Sequence, residues 1–209
     1  MLIIIAILLR LSAGAAYIHA VVTGKAKPHI VSWFFWGLTA LIAFGVQLTQ
    51  GVGPAAFVTL ALGIGPVIVF TLAIVKGLHR ITFTFIDKLC AVLTAIGILL
   101  WVFTKDPMTA LWLSICADMV SGVPTIIKCY YRPDSEHALP YSMSVASMIV
   151  TLISIHHWTV AAVAFPAYIL GTNLLFTTLI ASRVGPRVRA WQQQTGRLQT
   201  APVAVTVEE

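Results

Sequence analysis

A single acid stands in the middle of an apolar run. The stretch 108–132, MTALWLSICADMVSGVPTIIKCYYR, places Asp118 ten residues from either end of 108–128, about 15 Å along a helix and so near the middle of a bilayer. An ionised carboxylate there is costly, and it is normally paired or functional. The matching basic group lies 108 residues upstream, where Arg10 interrupts LIIIAILLRLSAGAAYI. These are the only charges deep within any apolar run of the chain. Opposite sign at corresponding positions predicts an ion pair between Arg10 and Asp118, which would offset much of the cost of burying either one. Two roles follow for such a pair: a gate or relay that breaks and remakes during transport, or a static contact that docks two halves. Pro124 removes a backbone donor one and a half turns after Asp118, which predicts a kink and a hinge.

Other polar and aromatic residues extend the candidate site. Asn173, in ILGTNLLF, is an amide in an otherwise apolar run and needs partners, either a solute or a neighbouring helix. Trp33, Trp36 and Tyr141 begin two of the apolar runs. They suit a headgroup belt or, alternatively, stacking on a planar or sugar ligand. His156 and His157 are adjacent, so they point to different helix faces and do not make a shared metal site. Glu136 and His137 fall in a polar turn and are expected to be solvated. Cys90, Cys116 and Cys129 form no CxxC pair, and they read as small apolar fillers rather than redox centres or ligands. No catalytic residues, metal or cofactor are called for. No nucleophile–base pair or phosphate loop is evident, and a guanidinium beside Asp118 would weaken it as a base.

The elements that must position these residues are membrane helices. The 209-residue chain is 59% hydrophobic and 10% charged, with mean hydropathy +0.94. That composition excludes a water-soluble domain and gives an all-α polytopic membrane protein. Apolar runs fall at about 2–22, 30–49, 55–75, 84–103, 108–128, 140–157 and 160–182, each close to the ~20 residues that cross a bilayer. The first run resembles a signal peptide, but it lacks a basic flank before it and contains Arg10, so it is read as a span. The connections are short, leaving no room for a soluble domain. The tail 184–209 is polar and is expected to be a mobile end.

Basic residues fix an expected orientation. Lys25 and Lys27 follow the first span, and Lys76 and Arg80 follow the third with Lys88 nearby. Lys128 and Arg132 follow the fifth, and Arg183, Arg187, Arg189 and Arg197 follow the seventh. The opposite loops hold only Lys105. The positive-inside rule then puts the C-terminus in the cytoplasm and the N-terminus outside, in a plasma or bacterial inner membrane.

Sliding the chain by 108 residues superimposes spans one, two and three on five, six and seven without a gap. Gly14 falls on Gly122, His29 on His137, Trp33 on Tyr141, and Leu62-Gly63 on Leu170-Gly171. Identities are few, and the boundaries and glycines carry the match. With the fourth span as linker, the plan is a parallel 3+1+3 repeat: a bundle at 1–78, a linker helix at 79–107, a second bundle at 108–183 and the tail.

The runs AYIHAVVTGKAKPHIVSWFFW and SGVPTIIKCYYRPDSEHALPYSM resemble the helix, proline, basic turn and aromatic pattern of the PQ-loop, SWEET and SemiSWEET superfamily. The signature Pro-Gln pair is absent: Thr125 follows Pro124, and Ala16 stands at the corresponding place in the first half. The resemblance implies hinge prolines and a pocket-lining Asn in the third helix of each half. Asn173 fits that role, whereas Gly65-Pro66 occupies the other position. Together with the central charges and the absence of a soluble domain, the resemblance gives the expectation of a small-solute transporter with a midplane site, for which Asn173, Asp118, Arg10, Trp33 and Tyr141 are the candidate substrate-binding residues. The alternative is a receptor or scaffold of the same fold that binds without transporting, and an intramembrane enzyme ranks behind both. Expected partners are a small-molecule solute and membrane lipids, with no nucleic acid. Assembly into a homo-oligomer stays open.

Overall fold

The computed structural model describes residues 1–26, 28–77 and 85–194. The charge argument's Lys27, Arg80 and Arg197, the 78/79 bundle boundary, and the tail from 195 onward lie outside them. The described residues form eight α-helices and no strand: α1 (Leu2–Val22), α2 (Ile30–Thr49), α3 (Ala56–Val75), α4 (Phe85–Thr104), α5 (Pro107–Tyr131), α6 (Ala138–Ser154), α7 (Val160–Ser182) and α8 (Val184–Gln194). Each of the seven apolar runs contains one helix, and a 3-10 turn, Gly53–Ala55, leads directly into α3.

Local chemistry explains where the helices stop. The His29 ring accepts from the Ser32 amide at the start of α2, and the Thr159 side chain accepts from Ala162 N at the start of α7. Asp106 caps α5 through the amides of Met108 and Thr109, with Pro107 at the first helical position, where its missing N–H costs nothing. The Thr109 hydroxyl and the Met108 amide hold the Asp106 carboxyl below its ordinary pKa. That cap therefore contributes above the ordinary carboxylate range and is lost as pH falls through the lowered value. Gly24 and Gly51 take positive φ just past α1 and α2, where a side chain would be strained.

Among the described residues five helices, with the 3-10 turn counted into α3, are long and apolar enough to cross a membrane: α1, α2, α3, α5 and α7. The chain is an integral membrane protein. At 17 residues, α6 rises about 26 Å, the short end of what spans a ~30 Å hydrocarbon core. It ends at Ser154 rather than at 157, so His156, His157 and Trp158 sit in an exposed connection to α7. Among the described residues no group of His, Cys, Asp and Glu could hold a metal.

The principal contacts close a ring. α1 packs on α3 and α6, α2 on α3 and α5, and α7 on α5 and α6, while α4 lies against α5 and touches α2. Large apolar side chains on the ring's outside, such as Ile4, Leu8, Phe57 and Leu174, are exposed, as a lipid-facing surface requires. Inside, two apolar clusters occupy opposite ends. One gathers Ala6, Val46, Val58, Leu111, Met148 and Phe165. The other gathers Tyr17, Val21, Trp33, Cys129, Tyr141 and Phe176, at the end that carries Lys25, Lys128, Arg132 and Arg183, called the basic end below.

Three expectations need correction. The tail expected to be a mobile end begins as a helix, since 184–194 is helical and packs on α5. A Cβ on Gly185 would stand 1.9 Å from the Tyr130 carbonyl oxygen, and Arg189 donates to the Tyr131 carbonyl at 2.8 Å. Glu136 is not solvated but 7% exposed. Cys116 is no internal filler, since its side chain is exposed, whereas Cys129 is buried. The side chain of Cys90 is outside the description.

Candidate binding cavity

A cavity of about 90 Å³ lies inside the ring, between the two apolar clusters. All five residues singled out as substrate-binding, Arg10, Trp33, Asp118, Tyr141 and Asn173, line it. They come from α1, α2, α5, α6 and α7. Small residues make the space. Gly14 and Gly65 face each other across α1 and α3: a Cβ on Gly14 would lie in ordinary contact with the Gly65 Cα at 3.9 Å, and a Cβ on Gly65 with Arg10 Nη2 at 3.8 Å. Gly122 leaves room for the rings of Trp36 and Phe176. Of the two glycine pairs matched by the 108-residue shift, Gly14 and Gly122 both border the cavity, whereas Gly63 and Gly171 do not.

The two charges do not form the expected ion pair. Arg10 Nη1 instead donates to Ser144 Oγ on α6 at 3.1 Å, and its Nε is buried without an acceptor. Thr39 Oγ1 on α2 lies 2.5 Å from Asp118 Oδ1, and the Tyr168 hydroxyl on α7 donates to Oδ2 at 2.8 Å. The separation has a simple cause. Arg10 and Asp118 face one cavity from α1 and α5, which do not adjoin in the ring, and each reaches sideways to hydroxyls on the neighbouring helix. The pattern is reciprocal: the α1 charge is held by α6 and the α5 charge by α2.

Asn173 Nδ2 donates to the Ile169 carbonyl of its own helix at 2.9 Å. Its amide therefore does not serve as the interhelix tie that was one of the two expectations. Trp33 and Tyr141 are buried, not spread along a headgroup belt. The Tyr17 ring centroid lies 4.2 Å from that of Trp33 and 6.1 Å from that of Tyr141, and Phe176 approaches both Tyr141 and Trp36. These rings form the wall of the cavity at the basic end.

Behind that wall sits a polar knot. Tyr17 OH donates to Glu136 Oε2 at 3.0 Å, Tyr141 OH to the same oxygen at 3.3 Å, and Lys128 Nζ reaches Oε1 at 2.8 Å. It ties α1 to the α5–α6 connection.

Pro124 does not line the cavity, and α5 is one continuous helix from 107 to 131 across it. The carbonyl that Pro124 leaves without its helical donor is that of Val120, four residues back. One residue on, Ser32 Oγ donates to the Ser121 carbonyl at 2.6 Å and ties α2 to α5. The prolines that border the cavity are Pro66, buried within α3, and Pro140, buried in the first turn of α6.

Sequence reasoning missed Thr39, Tyr168, Ser144 and Tyr17. Single hydroxyls in apolar helices usually satisfy themselves on their own backbone, as Thr71 and Thr178 do here, and Thr39 Oγ1 itself also lies 2.8 Å from the Phe35 carbonyl. Only the burial of a charge opposite could have distinguished Thr39 and Ser144. Tyr168 carried a weak signal, as a polar-tipped residue in the same apolar helix as Asn173. No family model, no curated protein and no solved structure matches this chain.

Proposed function

We propose that this chain is a small-solute carrier built on a seven-span, parallel 3+1+3 plan similar to that of the SWEET superfamily, with the cavity as its solute site. The observation that carries the reading is the convergence of Arg10, Asp118, Asn173, Trp33 and Tyr141 on one interior cavity. A merely structural set of polar residues would have been dispersed in separate helix contacts.

Two features support the plan. The three principal contacts of α1, α2 and α3 have counterparts made by α5, α6 and α7: α1–α3 with α5–α7, α2–α3 with α6–α7, and α1–α6 with α5–α2. The aligned residues His29 and His137 both stand at helix N-caps, and the aligned Trp33 and Tyr141 both pack on Tyr17.

In this reading the two three-helix sets rock about the cavity. The Tyr17–Glu136–Tyr141 knot closes the basic end, and the apolar cluster around Ala6, Leu111 and Phe165 closes the other. Pro124 and Pro66 supply the give. By the distribution of basic residues the basic end is cytoplasmic, the N-terminus is outside, and the membrane is a plasma or bacterial inner membrane.

Counterflow in proteoliposomes, screened over amino acids, sugars, nucleosides and vitamins, tests the reading. Exchange of at least one class is expected, reduced about tenfold or more by Trp36→Ala, which strips the cavity wall. A solute that stabilises the protein but is never exchanged would replace the carrier with a receptor.

A further inference from the structure

The cavity holds two charges of opposite sign that are not spent on each other. Among the described residues no ion pair joins Arg10 and Asp118, and each is held only by neutral hydroxyls. Hydroxyls orient a charge but do not cancel it. A guanidinium has five N–H donors, and a protein acceptor takes just one of Arg10's, from Nη1. Each Asp118 oxygen receives one hydroxyl and keeps further acceptor capacity. The site thus presents an unused cationic donor and an unused anionic acceptor to the same space.

We infer that the cavity takes a small zwitterion of the amino-acid type, with its carboxylate on Arg10 and its ammonium on Asp118. This rests on the carrier reading above and names its substrate class. Charge arithmetic selects it. A monoanion would match Arg10 and leave the cavity with net negative charge beside Asp118, whereas a monocation would do the reverse beside Arg10. Either imbalance is costly away from water. A neutral polyol would leave both charges uncompensated. A zwitterion satisfies both and adds no net charge.

Size and shape narrow the class. A cavity of about 90 Å³ is well below the roughly 300 Å³ at which drug-sized pockets begin, so the solute carries a short side chain. Gly122, Trp36, Ile126 and Phe176 provide an apolar wall for it. Arg10 and Gly65 both border the cavity, where no side chain of residue 65 stands against Arg10 Nη2, and an arginine edge is suited to a carboxylate.

The test uses the full chain in nanodiscs and in proteoliposomes, with alanine, propionate, ethylamine and glucose at matched ionic strength. Alanine is expected to bind, by thermal shift and calorimetry, about tenfold or more tighter than either half-analogue, since each lacks one charge-assisted contact. Arg10→Gln should erase the advantage of alanine over ethylamine, and Asp118→Asn its advantage over propionate. If these variants do not fold, the four-compound comparison on the unaltered protein still decides.

Propionate, ethylamine or glucose binding as tightly as alanine overturns the zwitterion. Glucose exchanging in counterflow while alanine neither binds nor exchanges keeps the carrier and removes the zwitterion. Alanine binding selectively without exchange keeps the zwitterion and removes the carrier. No binding and no exchange by any of the four overturns this inference, and the broader screen then decides the carrier alone.

Discussion

Glu136 shows how far a residue's surroundings can reverse its expected character. Placed in a turn among Arg132, Asp134 and His137, it is buried because Tyr17, Tyr141 and Lys128 each bring a hydrogen bond to its carboxylate. Glu136→Ala leaves a Lys128 side chain that is only 18% exposed and two tyrosine hydroxyls without their acceptor. Removing one member of a buried pair costs ~3 to 5 kcal/mol. Because the ammonium keeps some solvent, the expected loss is about 3 kcal/mol, read as a lower thermal midpoint in detergent. Tyr17→Phe deletes one of those hydrogen bonds and should cost about 1 kcal/mol. Equal stability of Glu136→Ala and the unaltered protein would show that the knot closes nothing. The residues Arg10 and Asp118 make a second prediction. Since each is held by its own hydroxyls, the exchange Arg10→Asp with Asp118→Arg should be no more stable than the worse single substitution. Thr39 and Tyr168 are placed to donate, and a guanidinium has no acceptor to offer them. Recovery in the double exchange would show that the two charges are directly coupled.

At the scale of elements, α5 and α8 carry the predictions. Pro124 lies inside a helix that continues on both sides of it, so Pro124→Ala restores a backbone donor without disturbing a cavity wall. The substitution should leave the protein inserted, raise its thermal midpoint, and slow counterflow if bending at this point belongs to the transport cycle. Exchange at the unaltered rate would remove the hinge. The helix α8 follows α7 after one left-handed residue, Arg183, and is brought onto α5 where Gly185 meets the Tyr130 carbonyl. A side chain cannot fit there, because the contact is with backbone rather than with a flexible tip. Gly185→Ala should therefore release α8, seen as faster proteolysis after Arg187 and Arg189 with the thermal midpoint of the remaining helices nearly unchanged. Protection equal to that of the unaltered chain would mean that α8 holds through other contacts.

For the whole molecule, orientation is the testable quantity. Lys25, Lys128, Arg132 and Arg183 gather at one end of the ring, and Lys105 stands at the other. A reporter fused after Glu209 should be cytoplasmic, and one inserted at Lys105–Asp106 should be external. Both on the same side would remove the seven-span arrangement and, with it, the pairing of the two three-helix sets. The ring also bears on energetics. Lipid tails offer no hydrophobic gain for helix association, so its cohesion depends on close packing and on polar ties between helices. Ser32 to Ser121, Ser147 to Ala6, and Gln47 to Ala161 are such ties, and each joins the first three helices to the last three.

The sequence by itself determined the membrane class, the helices and most of their ends, because apolar run length and the punctuation by Gly, Pro and charge are local properties that a bilayer enforces. It also selected Arg10, Asp118, Asn173, Trp33 and Tyr141, since polar or aromatic residues in apolar runs are conspicuous and costly. What it could not determine was who partners whom. The 108-residue shift aligned Arg10 with Asp118, but alignment along the chain does not imply contact: two such groups can face each other across a cavity. Only the tertiary structure decided that Ser144, Thr39 and Tyr168 hold these charges, that Glu136 is drawn inside, and that Pro66 and Pro140 rather than Pro124 border the cavity. Those outcomes depend on which face each helix turns to its neighbour. Helix rotation is fixed by packing across 50 to 134 residues of intervening chain, beyond the reach of any local pattern.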